Sequence, residues 1–108
     1  MAADLLQQAG MSILERNWRA GHKEIDLIAE DGDVVVFVEV KTRRRRSFGG
    51  PLAAISRRKR RRLTIAAELF LARKRWSNRP CRFDVVAVVV ANGEVDVEHV
   101  RGAFDATA

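Results

Sequence analysis

Apolar and polar positions change their spacing several times along the chain, and each change marks an element. Residues 2–9 read as a short helix stopped by Gly10, at the position where a left-handed residue closes a helix. Residues 12–19 predict a strand with Ile13 on one face and Leu14 and Trp18 on the other. Residues 24–29 (EIDLIA) alternate charged and apolar side chains as a half-buried strand does, and Asp31-Gly32 marks a tight turn. Residues 34–42 (VVVFVEVKT) are strongly β-branched and give the clearest strand signal in the chain. Residues 43–50 (RRRRSFGG) read as a loop. Pro51 then opens a helix that runs to about Trp76, since its missing N–H costs nothing in a first turn. Ile55, Leu63, Ala66, Ala67, Phe70 and Leu71 form its apolar stripe, and residues 77–80 (SNRP) end it. Residues 83–91 (FDVVAVVVA) are almost continuously apolar, the pattern of a strand covered on both faces. Asn92-Gly93 is a hairpin signal, and residues 94–100 return as an alternating strand. The order α-β-β-β-α-β-β predicts an α/β fold: a mixed sheet of about five strands with flanking helices, forming one domain over residues 1–108.

Composition narrows the classes. Hydrophobic residues make up 47% of the 108, enough for a packed core and too many for a disordered chain. Cys81 is the sole cysteine, so no internal disulfide forms, and no Cys/His cluster has zinc-site spacing. No basic segment precedes an apolar run at the N-terminus, and no apolar stretch approaches the ~18 residues of a membrane span. The expectation is a cytoplasmic protein with no membrane partner.

Charge is segregated rather than spread. From Lys41 to Arg82 sixteen Lys or Arg stand against one acid, Glu68, a charge of +15; the rest of the chain carries −9, which leaves the net +6. Most of the cations are arginine, whose planar fork matches phosphate oxygens. The runs at Arg43, Arg44, Arg45 and Arg46, and at Arg57, Arg58, Lys59, Arg61 and Arg62, are candidate contacts for a nucleic-acid backbone. The second run spans more than one helical turn and cannot face one way only; what points Lys59 toward the site is the family resemblance given below.

Four side chains carry the candidate chemistry. Along a strand Glu24 and Asp26 share a face, and so do Glu39 and Lys41. A two-residue loop at Asp31-Gly32 would set Glu24 opposite Glu39, Asp26 opposite Phe37 and His22 opposite Lys41; a three-residue loop would scatter the acids. In the first register three carboxylates share one patch, opposed Cβ atoms lying roughly 5 Å apart. Such crowding calls for a raised pKa or a bound cation, and oxygen-only ligands suit one or two Mg²⁺ or Mn²⁺ ions. The plainer alternative for the same residues is a solvated strand face with cross-strand ion pairs. Trp18 and Trp76 are expected in the core, Asp84 paired with an arginine, and His99 in a structural role.

Asp26, followed by Glu39-Val40-Lys41 at the end of an apolar strand, resembles the PD-(D/E)xK arrangement of restriction-endonuclease-like nucleases. More closely, the chain resembles the YraN-like family of putative endonucleases, related in fold to archaeal Holliday-junction resolvases. The matching pieces run in order from Gly10, Ile13-Leu14 and Arg16-Asn17 through residues 24–29 and 36–41 to Phe48-Gly49, Lys59, Phe70-Leu71 and residues 82–86. The resemblance implies Asp26 and Glu39 as metal ligands, Lys41 as the catalytic lysine and Glu24 as a further acid. Two departures stand out: the family pattern has a first-helix glutamate ahead of the position matched to Ala2, and a glycine where Lys23 stands.

The expected function is a metal-dependent endonuclease that hydrolyses phosphodiester bonds in DNA rather than RNA, selecting nucleic-acid shape, such as a branch, over base sequence. A homodimer suits the cutting of two strands. The alternative is a nucleic-acid-binding module of the same fold that does not cut.

Overall fold

The computed structural model describes residues 1–44 and 55–106. Helix α1 (Ala2–Gln8) leads into strands β1 (Ser12–Ala20), β2 (Lys23–Asp31) and β3 (Val34–Arg44); helix α2 (Arg57–Lys74) precedes β4 (Cys81–Ala91) and β5 (Glu94–Phe104). The strands form one sheet in the order β1-β2-β3-β4-β5. All neighbouring pairs are antiparallel except β3 with β4, which are parallel and joined through α2, as a parallel pair requires a crossover. The expected α/β class and element order hold.

The sheet is buried on both faces where its chain is most apolar. On one side Ala3, Leu6 and Met11 cover Leu27, Ala29, Val36, Val38 and Val86. On the other, Leu63, Ala66, Ala67, Phe70 and Leu71 of α2 cover Ile28, Val35, Phe37, Phe83 and Val85. Phe70 is the hub of this second layer, edge-on to Trp18, Phe37 and Trp76. Trp18 and Trp76 thus pack against the core as expected. So do the six residues of the expected stripe, although Ile55 does so from ahead of the helix.

The helix starts later than the sequence pattern suggests. Ile55 and Ser56 are not helical: Ser56 is extended (φ −64°, ψ 159°) and its hydroxyl accepts from the Lys59 N–H. A serine cap therefore sets the start at Arg57 and excludes a continuous helix from Pro51, itself outside the described residues. β3 continues to Arg44, so Arg43 and Arg44, expected in a loop, are strand, and the rest of the expected loop lies outside the described residues; β5 runs to Phe104, later than expected.

The register between β2 and β3 also differs. The loop is Gly32-Asp33, with Asp31 paired to Val34, so the strands are shifted by two residues from the expected pairing. Two causes are visible. Gly32 sits at the first loop position with φ 61°, which glycine adopts without strain. Asp31 stays in the strand, where its carboxylate meets Arg82 at 2.9 Å. A shift of two preserves parity, but it brings Asp26, not Glu24, beside Glu39, and it removes the expected Asp26–Phe37 and His22–Lys41 oppositions.

Candidate active site

The site forms where β2 and β3 part. Their pairing stops at Leu27–Val38, and beyond it the Val40 N–H donates to a side chain, the Asp26 carboxylate, at 2.8 Å. Alternation in β2 breaks at the same place. Ile25 and Ile28, three residues apart, both join the α2-side cluster, and Asn17 on β1, between the paired positions Arg16–Leu27 and Trp18–Ile25, has a left-handed backbone (φ 50°). Asp26 is turned toward a neighbour's backbone by this fork.

Glu39 is the centre of the site. It lies on β3 with a relative exposure of 5%, on the face toward α2. One of its oxygens, Oε2, receives two ammonium groups: Lys41 Nζ at 3.5 Å and Lys59 Nζ at 3.3 Å. Burial raises its pKa above the ordinary 4.5, and the hydrogen-bonded, like-charged Asp26 carboxyl raises it further; Lys59 and Lys41 pull the other way. Two acids and two lysines therefore share a partly dry space in which each charge governs the next.

The expected cluster of three carboxylates does not form. Glu24 is turned to Arg19, 3.3 Å away, and lines a cavity with His22, Lys23, Lys59, Arg62 and Leu63. Asp26 lines a different one with Ala2, Ala3, Arg16, Asn17, Leu27 and Val40. Among the described residues no group of three or more His, Cys, Asp or Glu is arranged to hold a metal. The register shift and the break in alternation separate the two β2 acids that strict alternation would have kept together.

The basic runs divide by role. The side chains of Arg43 and Arg44, and the whole of Arg45 and Arg46, lie outside the described residues. On α2, Arg57, Arg58, Arg61 and Arg62 are exposed, whereas Lys59 turns inward to Glu39. Other arginines of the basic segment serve the fold. Arg60 donates to the Ile55 carbonyl and lies 5.5 Å from the Phe104 ring. Arg79 pairs with Glu30 at 2.8 Å, donates to the Asp33 carbonyl and stacks on Trp76.

Arg82 bonds Asp84 and Asp31; burial alone would lower its pKa, but these acids more than offset that and hold it above the usual arginine value. Asp84 is fully buried, and it also meets His99 Nε2 at 2.8 Å and the Gly102 N–H at 3.0 Å. The expectations for Asp84 and His99 hold in this network.

Residues 1–88 match the family described as "Uncharacterised protein family UPF0102". The chain belongs to the UPF0102 family. It is 47% identical to a UPF0102 protein of Pseudomonas aeruginosa over 109 residues, covering 98% of this chain and 87% of the relative. It is 50% identical over 102 residues to a UPF0102 protein of Pseudomonas fluorescens, covering 93% and 83%. A UPF0102 protein of Rhodococcus opacus is 47% identical over 107 residues, covering 96% and 89%. The UPF0102 match contains Asp26, Glu39, Lys41 and Lys59, and it ends within β4. No helix among the described residues is long and apolar enough to cross a membrane.

Of the site, Lys59 is the member that sequence reasoning placed only loosely. Its signal was the family position it matches; the structure sets it one turn ahead of Leu63, the first buried apolar residue of α2. Lysine suits that position because a compact ammonium fits beside a carboxylate already approached by Lys41.

Proposed function

We propose that this protein is a metal-dependent phosphodiesterase acting on nucleic acid, DNA in the first instance, as the resemblance to restriction-endonuclease-like and YraN-like nucleases implies. The observation that carries this reading is the convergence of Asp26, Lys41 and Lys59 on the nearly buried Glu39 carboxylate. A solvated strand face would leave Glu39 exposed and its pKa ordinary.

The donor set fits a hard cation: two neighbouring carboxylates that offer oxygen ligands only. Asp26 and Glu39 would hold Mg²⁺ or Mn²⁺, which when bound supplies Lewis-acid polarisation of a phosphoryl oxygen and a water of lowered pKa. The protein's own groups do the rest. The Val40 N–H fixes one Asp26 oxygen and so orients that carboxylate. Lys41, half-buried beside Glu39, offers its ammonium to the charge that develops on the phosphate. Lys59 holds Glu39 in place and keeps the site from accumulating negative charge. The exposed arginines of α2 neutralise the backbone and carry no base readout.

A second reading, a binding module that does not cut, draws support from Glu24: with that acid paired to Arg19, the site has two carboxylates where three were expected.

The deciding experiment is cleavage of labelled linear, flapped and four-way-junction DNA, and of RNA, with Mg²⁺, Mn²⁺ or EDTA. Glu39→Gln and Lys41→Ala are assayed in parallel. Metal-dependent cutting that falls by about 10²-fold or more in both variants is expected, the scale of losing one charge-stabilising group at a reacting centre. Salt-sensitive binding without cutting in any metal would establish the binding module instead.

A further inference from the structure

Beside the carboxylates lies a second concavity that the reading above does not use. It has a volume of about 190 Å³ and is lined by His22, Lys23, Glu24, Lys59, Arg62 and Leu63. That is room for one phosphate group with a few waters, a water taking about 30 Å³ of liquid. Two separate parts of the fold build it: the β1–β2 turn supplies His22 and the start of β2 supplies Lys23 and Glu24, while the first turns of α2 supply Lys59, Arg62 and Leu63.

Its charge is unbalanced. Glu24 is the one acid of the lining, and Arg19 from outside the cavity takes it at 3.3 Å. Among the described residues neither Lys23 nor Arg62 has a carboxylate partner, in a protein where Arg79 and Arg82 both do. Lys23 is nevertheless half-buried. Its covered stem holds the ammonium at the cavity, where an anion can pair with it. Lys59 joins the two sites: its ammonium reaches Glu39 while its side chain walls this cavity.

We propose that this cavity is a phosphate subsite, which binds a phosphate of the nucleic-acid strand next to the one that Lys41 faces. The inference rests on the nucleic-acid reading for its ligand class, but not on cutting. Lys23 and Arg62 grip the phosphate oxygens; Lys59 stands between the two phosphates and is shared by Glu39 and the subsite. The bound group is either a phosphate inside a strand or the phosphate at a 5′ end, and both present the same oxygens.

The test needs no metal and no catalysis. Inorganic phosphate is titrated into ¹⁵N-labelled protein. Binding is then measured for two otherwise identical DNA strands, one 5′-phosphorylated and one with a 5′-hydroxyl. The proteins are wild type, Lys23→Gln/Arg62→Gln, and Arg101→Gln, which removes an exposed charge near Asp31 and away from the cavity.

Phosphate is expected to move the amide signals of residues 22–24, 62 and 63 in wild type and not in the double variant. Affinity should fall by about tenfold or more in the double variant relative to Arg101→Gln, the scale of losing charge-assisted phosphate contacts. A fall confined to the 5′-phosphorylated strand marks a terminal phosphate; an equal fall on both strands marks an internal one. Unmoved amides, or a double variant that binds both strands as Arg101→Gln does, would overturn the subsite. Because cleavage is not read, an inactive protein with a working subsite, and an active one without it, are told apart.

Discussion

At the scale of single residues, Glu39 shows how a buried carboxylate is tolerated and what it costs. Its pKa is raised, chiefly by burial and then by Asp26, against the opposing pull of Lys59 and Lys41. The folded protein therefore holds the Glu39 proton more tightly than the unfolded chain does. The resulting stability is fully present below the ordinary value of 4.5 and is lost as pH rises through the folded value. Glu39→Gln removes the ionised form while keeping the shape and a hydrogen-bonding group. Its urea midpoint should thus exceed wild type at neutral pH, and the advantage should shrink as pH falls toward 4.5; a variant less stable than wild type at neutral pH would mean that the lysines outweigh burial. The same substitution is expected to lower cutting by about 10²-fold or more, so stability and activity move in opposite directions at one position.

At the scale of elements, the first turn of α2 matters more than its length. The Ser56 hydroxyl caps the helix on the Lys59 N–H, and the Lys59 side chain reaches the Glu39 carboxylate, so one residue joins the helix start to the site. Ser56→Ala should cost about 1 kcal/mol of stability, measured by urea unfolding. It should also loosen Lys59 more than it disturbs Phe70, which stays clamped between aromatic rings; equal loosening at both positions in hydrogen exchange would refute the link.

These elements were unevenly legible in the sequence. The β-branched run from Val34 and the apolar run from Phe83 declare their strands locally, and Asn92-Gly93 forms the hairpin it announces, with both residues at positive φ. Asp31-Gly32 misleads because Asp31 is claimed by Arg82, fifty-one residues away, and local turn chemistry contains no trace of that partner. Glu39 and Lys41 were readable as a pair on one face. The fork that turns Asp26 to Val40 and leaves Glu24 to Arg19 was not, because it depends on a break in alternation at one left-handed asparagine, Asn17.

For the whole molecule, the sequence overstates the positive surface. Of the basic segment, Arg60, Arg79 and Arg82 hold the fold together, and Lys41 and Lys59 answer Glu39. In the first turns of α2 the outward charges are Arg57, Arg58, Arg61 and Arg62. Each phosphate neutralised contributes about 0.9 to the slope of log affinity against log salt on duplex DNA. Arg57→Gln/Arg58→Gln should accordingly flatten that slope by about 2 without changing preference among sequences; an unaltered slope would place the contact surface elsewhere. The parallel joining of β3 to β4 has its own consequence for how the protein comes to be. Strands β1 to β3 can pair with near neighbours, and so can β4 with β5, but Lys59 reaches Glu39 only once the chain has crossed between the two groups. Until then Glu39 lies beside Asp26 with Lys41, and without Lys59, to offset its charge, so the docking of α2 relieves the site. The balance of charge around Glu39 is in this sense the last thing the chain acquires as it folds.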